Sequence, residues 1–216
     1  MVRKTILGVL VSGRGSNLQA ILDAINADRL SAKIGVVICD NPDANALRKV
    51  AGTGIPTAVI ERRNFAAKQD FEAAIIAQLD LHHVELVVLA GFMRILSPRF
   101  INRFPARIMN IHPALLPAFP GLDAQKQAIE YGVKVSGATV HFVDEGMDSG
   151  PIILQEAVPV ETEDTVASLS ERILHLEHRL YVRAIRLYCE GRISIDGRAV
   201  KILPPRQKPK EEGELH

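Results

Sequence analysis

Thr5 to Val11 is a nearly continuous apolar run rich in β-branched residues, and three similar runs follow at intervals that a helix can fill. A strand that reads apolar throughout is one buried on both faces. The later runs are Lys33 to Cys39, Thr57 to Ile60 and Leu86 to Ala90. Between the first two, Leu18, Ile21, Leu22 and Ile25 recur at helical spacing within Leu18 to Ala27. Asn41-Pro42-Asp43-Ala44 supplies turn and cap chemistry for a helix reaching about Ala51, and Asn64 can cap a longer helix from Phe65 to Leu81. This alternation predicts βαβ units, and so a Rossmann-like, doubly wound α/β fold with a mostly parallel sheet and helices on both faces. Such sheets bind ligands at the carboxyl ends of their strands, so the loops that follow strands are where chemistry is expected.

The second half is less regular. Ser97-Pro98 starts a helix, Arg107 to Ile111 reads as a strand, and a Pro-rich loop runs from His112 to Gly121. A helix is predicted from Asp123 to Glu130 and an alternating strand from Lys134 to Val143. In that strand Ser136, Ala138, Val140 and Phe142 share one face, and Val135, Gly137, Thr139 and His141 the other. Pro151 to Val158 is a further strand. Thr165 to Cys189 is a long helix with Val166, Leu169, Ile173, Leu176, Leu180, Ala184 and Leu187 on its apolar side. Asp196-Gly197 marks a hairpin turn. Residues 1–203 read as one domain, and the Pro-, Lys- and Glu-rich segment 204–216 as a disordered tail.

Composition removes several classes of function. Apolar residues make up 47% and charged residues 24% of the 216, and the net charge is +1. A dedicated nucleic-acid surface usually shows a clear basic excess, so no nucleic-acid partner is expected. The two cysteines, Cys39 and Cys189, form neither a disulfide framework nor a CxxC metal pair. No run has the length to cross a bilayer, and the opening apolar stretch is too short for a signal peptide, so a cytoplasmic protein with no membrane partner is expected.

Four loops carry polar residues suited to chemistry. Ser12-Gly13-Arg14-Gly15-Ser16-Asn17 follows the first strand and precedes a helix. Glycines let backbone N–H groups approach a ligand, and a helix N-terminus suits a phosphate. It is neither a G-x-G-x-x-G nor a Walker A loop, and it reads equally as a tight turn with Ser16 or Asn17 as helix cap. Gly91 to Pro98 reads first as core and second as the lining of a pocket for a flat organic ligand. Asn110 and His112 sit at a strand end with i, i+2 spacing, which points both side chains to one side. Two donors converging there can stabilise an oxyanion, although a lone histidine is more often structural. Asp144-Glu145-Gly146-Met147-Asp148-Ser149-Gly150 is an acidic hairpin from which one carboxylate can turn inward as a proton acceptor or to orient the histidine. His141, Glu177 and His178 are polar residues within apolar segments, each a candidate structural hydrogen-bonding group. No spacing is diagnostic of zinc, and no metal is expected.

Three segments in this order resemble the folate-dependent phosphoribosylglycinamide formyltransferases: Ser12-Gly13-Arg14-Gly15-Ser16-Asn17-Leu18-Gln19-Ala20, Gly91-Phe92-Met93-Arg94-Ile95-Leu96-Ser97-Pro98 and Asn110-Ile111-His112-Pro113-Ala114-Leu115-Leu116-Pro117, with fitting spacing to Asp148-Ser149-Gly150-Pro151. The resemblance runs from the first strand through Glu177-His178. It implies the formyltransferase fold and transfer of a formyl group from 10-formyltetrahydrofolate to the amine of glycinamide ribonucleotide. It further implies Asn110, His112 and Asp148 as catalytic residues, with His112 protonated and held so by Asp148. The nucleotide phosphate would lie on Gly15, Ser16 and Asn17, with Glu177 on the ribose side. The folate would lie against Lys68, Met93, Arg94, Ile95, Leu96 and Asn110, and against the loop Asp144, Glu145, Gly146, Met147, Asp148. The chain departs from the commonest family pattern at Ala114, Ala118 and Asp123, where Ser, Lys and His are frequent. Monomer and homodimer are both compatible with it.

Two relatives on the same scaffold compete with this reading. Formyltetrahydrofolate deformylases carry an extra amino-terminal domain, and methionyl-tRNA formyltransferases a basic carboxyl-terminal one. A glycine loop beginning at Ser12 and a short segment after the long helix favour neither. A non-catalytic folate- or nucleotide-binding module would predict loss of Asn110, His112 or Asp148, and all three are present.

Overall fold

The computed structural model of the chain describes residues 3–205. Seven strands form one sheet: β1 (Thr5–Val11), β2 (Ala32–Cys39), β3 (Thr57–Val59), β4 (Leu86–Leu89), β5 (Ile108–His112), β6 (Val135–Phe142) and β7 (Ile152–Pro159), in the order β3-β2-β1-β4-β5-β6-β7. The first five pair in parallel, and β6 and β7 add on in antiparallel fashion. The predicted α/β class and mostly parallel sheet are therefore present. The strand order reverses at β1, whose neighbours are β2 and β4. That reversal opens a crevice at the carboxyl ends of the strands.

Helices α1 (Ser16–Asn26), α2 (Asn45–Val50), α3 (Lys68–Leu81), α4 (Pro98–Arg103), α5 (Ala124–Tyr131) and α6 (Val166–Cys189) cover the sheet. Val9 and Val11 on one face pack with Leu18 and Ile21 of α1 and Leu176 and Leu180 of α6. Leu10 and Ile38 on the other pack with Phe71 and Ile75 of α3 and Phe100 of α4. Gly8 is small for a packing reason, since a Cβ there would meet Leu79 and Val84 beneath α3. Tyr181 of α6 is fully buried, and its hydroxyl lies 3.0 Å from the Leu89 carbonyl and 2.9 Å from that of Met109. It thus binds the ends of β4 and β5, next to the first site residues, to the long helix.

Four expectations change in detail. Asn64 does not cap α3; it closes a short 3-10 turn, Arg62–Asn64, and the helix starts after Ala67. Neither Ser16 nor Asn17 caps α1; both lie inside the helix, with Gly15 at the N-cap. The alternation in β6 does not separate a wet face from a dry one, because every residue after Val135 is buried. Helix α6 covers one side of that strand and the Pro-rich loop reaches the other. Val166 is 40% exposed at the start of α6, ahead of the first turn that meets the sheet. The predicted turn at Asp196-Gly197 is present, joining β8 (Ile193–Asp196) to β9 (Ala199–Ile202). Most of the predicted tail lies outside the described residues; Pro204 and Pro205 belong to no helix or strand.

Candidate active site

Strand β5 delivers Asn110 and His112 to the same side of its end, and β6 places His141 directly opposite Asn110 and Thr139 opposite His112. Antiparallel partners of this kind lie within side-chain reach. The Asn110 amide nitrogen is 3.2 Å from His141 Nε2 and 3.4 Å from Asp148 Oδ1. His112 Nδ1 is 3.3 Å from Asp148 Oδ2, and its Nε2 is 2.7 Å from the Phe119 carbonyl oxygen. His141 Nδ1 faces the carbonyl of Phe142 at 2.8 Å, so its proton belongs on Nδ1 and its Nε2 is free to accept from Asn110. Asp148 also accepts from the Gly121 N–H at 2.8 Å. The three residues expected to be catalytic thus meet, with His141 as a fourth member.

The charge state of this cluster follows from burial. Burial is the strongest influence on His112 and pulls its pKa below the usual 6.5, against the opposing pull of the Asp148 carboxylate. The Asp148 carboxylate 3.3 Å away pulls in the direction expected of it, toward the charged imidazole, and burial pulls the other way. Both ring nitrogens nevertheless face acceptors, so a proton gained during reaction would be well placed. On Asp148 burial acts upward, but the neighbouring His141 ring, the hydrogen bond from the Gly121 N–H and the nearby His112 together prevail and its pKa is lowered, which favours the anion.

The Pro-rich loop is pinned at its start. Thr139 Oγ1 donates to Ala114 O at 2.7 Å and accepts from Leu116 N at 3.0 Å, and Gln155 Nε2 reaches Leu116 O at 2.8 Å. Leu116-Pro117 is cis. This anchoring carries Phe119 back over His112. Ala114 thus acts through its carbonyl, and Asp123 stands at the N-cap of α5 with φ 56° and no side-chain cap bond.

Gly15 has φ 70°, a left-handed value that glycine tolerates, and a Cβ there would come within 2.7 Å of the Ala46 backbone. Ser16 and Asn17 then open α1 with N–H groups unsatisfied by the helix. Asn17 Nδ2 donates to Glu177 Oε2 at 2.8 Å, which ties the start of α1, just after the glycine loop, to α6. Glu177 is 7% exposed, and burial raises its pKa to about 7, against lowering by Asn17 and Arg14.

That shift makes a stability prediction. Between pH 4.5, the ordinary value, and pH 7, the folded chain holds a proton at Glu177 that the unfolded chain has lost, so stability falls as pH rises through this window. Glu177→Gln keeps an acceptor for Asn17 and removes the penalty. It is expected to stabilise the chain by about 3 kcal/mol at pH 8 and by almost nothing below pH 4.5. Urea unfolding of both proteins at the two pH values measures this, and a pH-independent difference would refute it.

Lys68, Met93, Arg94, Ile95 and Leu96 line one cleft of about 330 Å³, together with Arg62, Phe71 and Glu72. Arg94 is paired with Asp40 at 2.5 Å, and Lys68 with Glu72 at 3.7 Å. Ser12 Oγ accepts from Met93 N at 3.0 Å and so links this loop to the glycine loop. Asn110, His112 and Asp148 do not line the cleft, nor do Asp144, Glu145, Gly146 and Met147. Met147 instead lies over Gly121, and Asp144 Oδ1 accepts from Ser149 Oγ at 2.6 Å.

Two participants were not legible as site residues. His141 looked structural; its only signal was a polar residue facing inward on an apolar strand. Phe119 acts through its carbonyl, which no residue type announces. His178 contributes no contact to the cluster, and its Nε2 is buried without a partner among the described residues.

Comparison with known proteins bears on the family and the fold. A family model described as formyl transferase matches residues 5–185. Phosphoribosylglycinamide formyltransferase of Bacillus subtilis is 44% identical over 178 residues, covering 82% of this chain and 91% of that protein. The human trifunctional purine biosynthetic protein adenosine-3 is 45% identical over 193 residues, 89% of this chain, but the chain spans 19% of that much longer relative. The crystal structure of glycinamide ribonucleotide transformylase 1 from Symbiobacterium toebii matches with a TM-score of 0.92 and 50% identity, covering 94% of this chain and 96% of that one. A formyltetrahydrofolate deformylase from Pseudomonas syringae is more distant, at 27% identity and a TM-score of 0.87, covering 93% of this chain and 66% of that one. The family match spans the sheet and every residue of the strand-end cluster, and the bacterial relatives match over nearly their whole length: the chain belongs to the formyl transferase family and, within it, to the phosphoribosylglycinamide formyltransferases.

Proposed function

We propose that the chain transfers the formyl group of 10-formyltetrahydrofolate to the amine of glycinamide ribonucleotide, a step of de novo purine biosynthesis, in the cytoplasm. The observation that carries this reading is the convergence of Asn110, His112 and Asp148 at the end of β5. The phosphate is assigned to Gly15, Ser16 and Asn17, and the ribose side to Glu177. The folate is assigned to Lys68, Met93, Arg94, Ile95 and Leu96 together with the loop from Asp144 to Asp148.

The chemistry follows from those positions. The neutral amine attacks the formyl carbon and forms a C–N bond, leaving O⁻ on the former carbonyl and N⁺ on the amine. Asn110 donates to the oxyanion through the N–H whose resting contact with Asp148 is long, at 3.4 Å. The His112 Nε2–H exchanges the Phe119 carbonyl for the same oxyanion. A negative charge beside His112 raises its pKa, opposing the effect of burial. Asp148 accepts the ammonium proton through water and returns it to the folate nitrogen as the C–N bond to that nitrogen breaks. Tetrahydrofolate leaves and the formamide remains.

Mixing the purified chain with both substrates and following tetrahydrofolate release tests this. Release should require the nucleotide, and an amine lacking the phosphate should bind about 100-fold more weakly, the worth of one or two charge-assisted hydrogen bonds. Release without the nucleotide would mean transfer to water and a deformylase. Equal affinity for the dephosphorylated amine would refute the role of Gly15, Ser16 and Asn17.

A further inference from the structure

The hairpin β8–β9 lies beyond the residues that the family model matches, yet it reaches the loop that carries Asp148. Arg198, at its turn, donates from Nη2 to the carbonyl oxygen of Ser149 at 2.6 Å. Ser149 follows Asp148, which faces His112. Asp148 has φ 48°, a left-handed conformation that a non-glycine residue keeps only where its surroundings impose it.

The loop has other anchors, and each leaves the Ser149 carbonyl free. At the front, Asp144 Oδ1 accepts from Gly146 N at 3.2 Å and from Ser149 Oγ at 2.6 Å. At the rear, Phe142 N donates to Pro151 O at 2.9 Å, and Gly150 is packed against the Phe142 carbonyl so closely that a Cβ would not fit. Asp148 itself is held by Gly121 N–H through Oδ2. The acid nearest in the hairpin, Asp196, is engaged by Lys201 at 3.3 Å, which leaves Arg198 to the loop.

We infer that Arg198 is a positioning residue, which ties the carboxyl-terminal hairpin to the Asp144–Gly150 loop and keeps Asp148 in register with His112 and Asn110. The inference rests on the role proposed above for Asp148. Arg198 touches no substrate; it acts by limiting how far the loop opens.

Arg198→Ala and Arg198→Lys in the full chain test it by two readouts. Amide hydrogen exchange needs no substrate: the amides from Asp144 to Gly150 should exchange about five- to tenfold faster in the alanine variant and at near-parent rates with lysine, which restores a donor. In turnover, the alanine variant should lose about five- to tenfold in kcat with the KM for the nucleotide unchanged, because the nucleotide sites at Gly15 and Glu177 are not on this loop. Unchanged exchange in Arg198→Ala would overturn the tie. Faster exchange with parental kcat would overturn the positioning role. A parent chain that transfers no formyl group refutes the proposed function instead, is recognised before any substitution is made, and leaves the exchange comparison to decide the tie.

Discussion

Asp148→Asn is expected to lower kcat about a thousandfold while both substrates still bind, the scale of a lost acid–base group. The variant should fold normally. An asparagine can turn its oxygen toward the Gly121 N–H, which now donates to Oδ2, and its amide toward His141 Nε2, which lies 3.7 Å from Oδ1. What disappears is the anion. Without it only the Phe119 carbonyl offsets the burial of His112, whose pKa is already lowered, so the imidazole is expected to resist the proton it needs as the oxyanion forms. The attacking amine also loses its proton acceptor. Single-turnover kinetics with saturating substrates separates this from weakened binding: a thousandfold loss in the chemical step with unchanged dissociation constants is expected. Turnover within a few-fold of the parent would remove Asp148 from the mechanism.

Asn110→Ala is expected to lower kcat about 100- to 1,000-fold, as removal of one oxyanion donor usually does. Its amide is oriented by two acceptors, His141 Nε2 at 3.2 Å and Asp148 Oδ1 at 3.4 Å, so the donor is aimed before substrate arrives. Pre-aimed donors lower the barrier because little reorganisation is needed when charge appears. If Asn110 and His112 serve the same oxygen, the double variant Asn110→Ala/His112→Ala should be less impaired than the product of the two single losses. Strictly multiplicative effects would show that the two residues act at separate steps.

The sheet was legible because its signal is local and redundant. β1, β2 and β4 are apolar on both faces, and only a strand covered on both sides reads that way. The helix starts were less legible. Asn64 has the chemistry of a cap, yet it closes a 3-10 turn, after which Phe65 packs edge-on against Phe71 of α3. Gly15 rather than Ser16 ends up at the N-cap of α1 because its positive φ and the closeness of Ala46 admit no side chain. Strand β6 alternates in chemistry but not in exposure, since its burial depends on α6 and the Pro-rich loop, both distant in sequence.

By itself the sequence determined the βαβ order, the placement of Asn110 and His112 on one side of a strand end, and the loops where ligands of such a sheet bind. These depend on the two-residue period of a strand and on glycine, proline and capping chemistry, which act over a few residues. Only the tertiary structure decided which groups meet. Asn17 reaches Glu177 across 160 positions, and Asp148 reaches both Asn110 and His112 from a different loop. Only the tertiary structure, too, decided which way the pKa values of these groups move. Water removed from around Glu177 lifts it to about 7, and the same loss of water pulls His112 toward neutrality despite the carboxylate beside it. Desolvation depends on everything packed around a group, and spacing along a chain carries no record of that.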